Sequence, residues 1–256
     1  MRTLVHCAQD SATMVGRNLR HTLRSPDTMI MTIAVPVSIL LMFVYVFGGA
    51  MNVGGGSYID YVVPGIILLC AGFGSGATAV AVATDTHSGI VDRFRAMAVS
   101  RNSVLTGHVL ESVLRNLLTS SLVVLVAVAL GFRPTADPLR WLAVAGVLAC
   151  FVVALSWIAA ALGLLASNPE AANGFMFFFM FLPYVSSAFV PTQTLPSWLR
   201  GFAAHQPVTS VTETVRGLLM GTPVGDSAPT VLAWCAGLAL AGYLAAGALS
   251  RRRTAS

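Results

Sequence analysis

Residues 61–102 read YVVPGIILLCAGFGSGATAVAVATDTHSGIVDRFRAMAVSRN. Tyr61–Ala83, the first part, carries no formal charge, whereas residues 85–102 hold Asp85, Asp92, Arg93, Arg95 and Arg101. An uncharged apolar run of this length fits a helix crossing the hydrocarbon core, which takes roughly 20 residues. The abrupt change to charge marks where the chain leaves the bilayer. That boundary sets the fold class, an all-α integral membrane protein.

The whole composition agrees. The 256 residues are 56% hydrophobic and only 10% charged, with a mean hydropathy of +0.78; a soluble domain is about 25% charged. The net charge is +5, and all 15 basic residues are arginine. In so apolar a chain that balance points to anionic lipid headgroups, so membrane lipids are expected partners and nucleic acid is not. Cys7, Cys70, Cys150 and Cys235 are scattered without a C-x-x-C spacing, which reads as small buried residues, not a disulfide framework or metal site.

Six stretches have the length and composition of spans: 28–47, 61–83, 105–130, 141–166, 171–190 and 229–249. The third carries Glu111 and Arg115 near its start, and the other five carry no charge. The chain reads as one membrane domain over 1–256. The first apolar run starts behind four arginines and is too long for a signal-peptide core. Outside the spans, ten arginines lie on the side of both termini and four on the other. Positive residues stay cytoplasmic, so both termini are expected there, in a bacterial plasma membrane.

Two cytoplasmic segments have helical periodicity. In residues 1–25, Val15, Leu19 and Leu23 form one stripe, with Arg17, Arg20 and Arg24 on another face. This predicts an N-terminal amphipathic helix in the membrane interface. Ser25, Pro26 and Asp27 then supply an N-cap, a proline for the first helical position and an acid for the first turn. In the loop after the second span, Ile90, Phe94 and Met97 share a stripe, and Asp92, Arg93 and Arg95 fall elsewhere. Periodicity alone fits either a short helix seated in a partner's groove or a solvated loop.

Residues 88–116, SGIVDRFRAMAVSRNSVLTGHVLESVLRN, closely resemble the corresponding loop of ABC-2 type exporter permeases of the daunorubicin/doxorubicin-resistance branch. So do NPEA (168–171), SSAFVP (186–191), LPSWL (195–199) and HQPVT (205–209). The resemblance covers nearly all the chain. It departs at Met97-Ala98, where the branch has Leu-Pro, at Gln206, where it has asparagine, and at His108, where a basic residue is common. It implies that the loop after the second span is a coupling helix docking on a separate ATPase, with Asp92, Arg93, Phe94, Arg95 and Arg101 as contact residues. It further implies two copies of this chain with two P-loop ATPase subunits, a cleft between the second and fifth spans of the two copies, and short re-entrant helices before the last span. ATP and magnesium would sit on the partner, with no cofactor on this chain.

A P-loop needs the lysine of G-x-x-x-x-G-K-[ST], and this chain has none, so the chain is not itself expected to be an ATPase or another enzyme. GFGSGA (72–77) has phenylalanine, Phe73, where a G-x-S-G nucleophile motif needs glycine, and no histidine at comparable depth. Its Gly72, Gly76 and Ala79 instead suit close helix packing. Glu111 and Arg115 are spaced for an i,i+4 pair and read either as the inner mouth of a transport path or as a structural ion pair. Phe73, Phe178, Phe181, Tyr184 and Ser187 are the candidate cleft residues for an amphiphilic drug, lipid or glycolipid-like substrate. His205 and Glu213 are too few for a metal site. The alternatives are an ion-coupled transporter and a purely structural membrane subunit. Five of the six spans lack the buried carboxylate an ion-coupled carrier needs.

Overall fold

A computed structural model describes residues 26–49, 57–89, 101–225 and 227–252. The described residues are helices and connecting turns: α1 (Pro26–Leu41, continued as a π-helical stretch Met42–Phe47), α2 (Tyr58–His87), α3 (Arg101–Ala129), α4 (Pro138–Leu165), α5 (Pro169–Phe181), α6 (Ser197–His205), α7 (Pro207–Met220) and α8 (Ser227–Arg252). The expected interfacial helix over residues 1–25 and the coupling helix around 90–100 lie outside the described residues.

The helix starts follow local chemistry. Pro26 opens α1. Asp137 caps α4 by accepting from the Arg140 amide at 2.8 Å, with Pro138 next in the chain. Asn168 does the same for α5 through the Ala171 amide at 2.6 Å, ahead of Pro169 and Glu170. Each cap satisfies one of the amides a helix start leaves bare. At the other end of α7, Gly221 takes φ of +72°, a left-handed stop that suits glycine.

Four described helices are long and apolar enough to cross a bilayer: residues Tyr58–His87, Ser103–Ala129, Pro138–Leu165 and Ser227–Arg251. Ile33–Phe47 is apolar but shorter. Over the expected fifth span, 171–190, the helix is interrupted. The α-helix stops at Phe181, one 3-10 turn covers Leu182–Val185, and Ser186 is extended. Pro183 contributes to the stop, because it offers no amide to the helical ladder.

The arrangement centres on α2, which packs against α1, α3, α4, α5 and α7. Of its most apolar window 78% is buried, against 22% for α8, which leans mainly on α4. Close approach depends on small residues. A Cβ on Gly72 would stand 2.8 Å from the Phe179 carbonyl oxygen on α5, and one on Gly163 of α4 would stand 2.4 Å from that of Ala79. Gly72 and Ala79 therefore serve the packing that their spacing suggests.

Candidate functional site: the turn after α5 and its polar staples

α5 packs on α2, and Phe179 is buried there. Phe177, Phe178 and Phe181 point away from the bundle, each 57% or more exposed. Beyond the break the chain turns inward, and Ser186, Ser187, Ala188 and Phe189 are all buried. The Phe189 ring stacks between Phe43 (4.5 Å) and Tyr184 (4.9 Å), and Tyr184 lies 6.2 Å from Phe181.

Backbone outside a helix is tolerated at membrane depth only where protein satisfies its polar groups. Here side chains from three directions do so. From α2, Tyr58 donates to the Phe189 carbonyl (3.3 Å) and Tyr61 to that of Ser187 (2.9 Å). Within the turn, Ser186 Oγ donates to the Pro183 carbonyl (2.6 Å) and accepts from the Ala188 amide (3.1 Å). From the α6–α7 side, Gln206 Nε2 donates to the Val185 carbonyl, and Thr209 Oγ1 accepts from the Ser187 amide (3.3 Å). Gln206, the departure from the resembled asparagine, is thus one of the staples.

Arg216 of α7 completes the set. Its Nη1 donates to Glu213 (2.8 Å), its Nη2 to the carbonyls of Ser187 (2.8 Å) and Tyr61 (3.2 Å), and its carbon lies 3.9 Å over the Tyr61 ring. In the sequence Arg216 is one of the four arginines on the side opposite the termini. The signal available was Glu213 three residues earlier in an otherwise uncharged helix.

The five expected cleft residues divide. Phe178 and Phe181 form an exposed face, Tyr184 and Ser187 belong to the stapled turn, and Phe73 is half-buried against the core. A separate recess of about 170 Å³ lies between α3 and α4, lined by Ile67, Leu117, Ser120, Trp141 and Leu148 among others, and none of the five lines it.

From the middle of α2 toward its far end lies a second polar group. Arg115 grips Glu111 through two hydrogen bonds (2.7 and 2.9 Å) and donates to the Gly74 carbonyl (2.9 Å), so the pair ties α3 to α2. His108 meets Asp85 at 3.2 Å, a second tie between the same helices. Asn116 lies over Gly74, where a Cβ would come within 2.2 Å of its carboxamide. These contacts favour the structural reading of Glu111 and Arg115. Glu111→Gln is expected to destabilise the chain by about 1.5–3 kcal/mol, because a partly buried arginine loses its charged hydrogen-bond partner. The double variant Glu111→Gln, Arg115→Met should recover most of that, as thermal unfolding in detergent would register. Of the expected ATPase contacts, Arg101 opens α3, while Asp92, Arg93, Phe94 and Arg95 lie outside the described residues. Among the described residues no three His, Cys, Asp or Glu side chains gather as for a metal. His205 faces the Gly201 carbonyl and Glu213 is held by Arg216.

The sequence pattern of the ABC-2 type transporter family matches residues 10–220. The chain belongs to that family. It is 32% identical over 235 residues to the daunorubicin resistance ABC transporter permease protein DrrB1 of Streptomyces coeruleorubidus, covering 89% of this chain and 83% of the relative. It is 28% identical over 227 residues to the probable doxorubicin resistance ABC transporter permease protein DrrC of Mycobacterium tuberculosis H37Rv, covering 87% and 81%. Family membership and the long apolar helices make this ABC-2 protein a multi-pass membrane protein.

Proposed function

We propose that the chain is the permease subunit of an ATP-driven exporter of amphiphilic molecules, working as two copies with two copies of a separate P-loop ATPase. The carrying observation is the family match over residues 10–220, which includes the charged loop after α2. The lack of any lysine in the chain supports a P-loop on a separate subunit. The two relatives' drug-resistance names support an amphiphilic cargo.

In this reading the chain makes six crossings, with α1 and the broken α5 among them, both termini are cytoplasmic, and the stapled turn lies on the outer side. The exposed rings of Phe178 and Phe181 face the second copy and wall the cleft. Movement passes along α2. That helix has 30 residues, about 45 Å at 1.5 Å per residue. One end adjoins the docking loop, and the other carries Tyr58 and Tyr61, bonded to the turn. The Asp85–His108 and Arg115–Gly74 ties make α2 and α3, the two arms of the loop, move as one. Closure of the ATPases on ATP would then shift α2 as a rod and release the turn at its far end.

The test is mild-detergent purification of the tagged chain from its native host. A P-loop ATPase recovered in equal amount supports the proposal. Recovery of none, in conditions that preserve other membrane complexes, contradicts it.

A further inference from the structure

An arginine at a membrane helix end is costly unless its donors are used, and Arg216 is held on every side. Nη2 reaches two carbonyls on two different elements, Tyr61 of α2 and Ser187 of the broken fifth span, while Nη1 keeps Glu213. The Ser187 carbonyl is also held by the Tyr61 hydroxyl at 2.9 Å. It therefore keeps one donor if Arg216 leaves.

The other staples around the turn are neutral. Arg216 differs because its counter-charge sits three residues away on its own helix, with the Glu213 side chain 46% exposed and that of Arg216 only 13%. A lone guanidinium pulled off its carbonyls would be stranded in a low-dielectric wall. One that travels with its carboxylate is not. If α7 shifts, the ion pair can move with it, while Arg216 gives up the Tyr61 and Ser187 carbonyls and its place over the Tyr61 ring.

We infer that Arg216 is the latch of the outer gate: its grip on the Ser187 and Tyr61 carbonyls keeps the broken span shut, and withdrawal of the Arg216–Glu213 pair with α7 opens it. This deepens the export reading and rests on it for what passes the gate. The latch itself is measurable without the ATPase.

The experiment places a cysteine at Ser187 in a chain whose four native cysteines are replaced. Ser187 is 2% exposed, and its hydroxyl has no hydrogen-bond partner among the described residues, so the probe begins shielded and removes no bond. Right-side-out membrane vesicles are treated with a membrane-impermeant maleimide. Labelling is expected to be slow with Arg216 present and at least tenfold faster with Arg216→Gln. Arg216→Lys, which keeps the pair but cannot span both carbonyls, should fall between. Glu213→Gln should stay slow, since the carbonyl grip remains. A control cysteine at Ser75, buried in α2, must stay unlabelled. If Arg216→Gln exposes the control as well, Arg216→Lys decides: faster labelling at 187 alone supports the latch, and unchanged labelling overturns it. Equal rates in all variants overturn it, as does acceleration seen only in inverted vesicles. Neither ATPase capture nor transport enters this readout, so failure of the latch and failure of the export reading are distinguishable.

Discussion

Exchanging Arg93 for glutamate and Phe94 for alanine together is expected to lower ATPase recovery at least thirtyfold. A buried aromatic anchor at a protein interface is worth about 2 kcal/mol or more, and 1.4 kcal/mol is a tenfold change in affinity. Charge reversal beside it turns electrostatic steering into repulsion and slows association. Phe94→Ala alone should weaken the complex mainly by faster dissociation, and Arg93→Glu alone should make recovery depend more steeply on salt. The measurement is the ratio of ATPase to permease after purification, with the permease's thermal midpoint as the control for folding. An unchanged ratio in the double variant would remove residues 92–95 from the docking surface.

The second large effect concerns the fold. Gly65→Ala is expected to destabilise the chain by about 1–3 kcal/mol, the usual cost of overpacking, and Gly65→Leu to prevent a stable fold. A Cβ at Gly65 would stand 2.5 Å from the Ala188 carbonyl oxygen and 2.8 Å from its Cβ. Ala188 has little room to retreat, because the turn around it is fixed by the Tyr58, Tyr61 and Ser186 bonds. Gly146→Ala on α4 is the contrasting case. Its Cβ meets open space, and alanine favours helix over glycine by about 1 kcal/mol, so stability should hold or rise slightly. Thermal midpoints in detergent compare the two, and similar midpoints for Gly65→Ala and Gly146→Ala would contradict the close contact of α2 with the turn.

Much of this architecture is legible in the sequence, for definite reasons. The starts of α4 and α8 lie within three residues of where apolar runs meet aspartate or proline, which are local signals. Two short helices before the last span are what the family resemblance implies, and α6 and α7 stand there. The break in the fifth span is only half legible. Pro183 announces a bend, but what lets the chain leave the helix is supplied by Tyr58, 131 residues away from Phe189, and by Tyr61. No local pattern carries such partners. The aromatic run of α5 gives no indication of which rings turn out, because rings occur all around the helix. Phe179 goes inward since Gly72 leaves space against that turn, whereas Phe178 and Phe181 stay exposed. The Glu111–Arg115 spacing gives the pair, but not the Gly74 carbonyl that makes it a tie between helices. Beyond its spacing to Glu213, Arg216 carries no local sign of its role, because the carbonyls it holds lie 155 and 29 residues away in the chain.

The central claim is that ATP hydrolysis on a partner drives an amphiphile through this permease. It is tested most directly with inverted membrane vesicles holding the permease and its co-purifying ATPase, by following uptake of a fluorescent anthracycline. Uptake should require hydrolysable ATP, persist when ionophores collapse the ion gradients, and vanish with the Arg93→Glu, Phe94→Ala variant. Uptake that follows an imposed ion gradient without ATP would contradict the account.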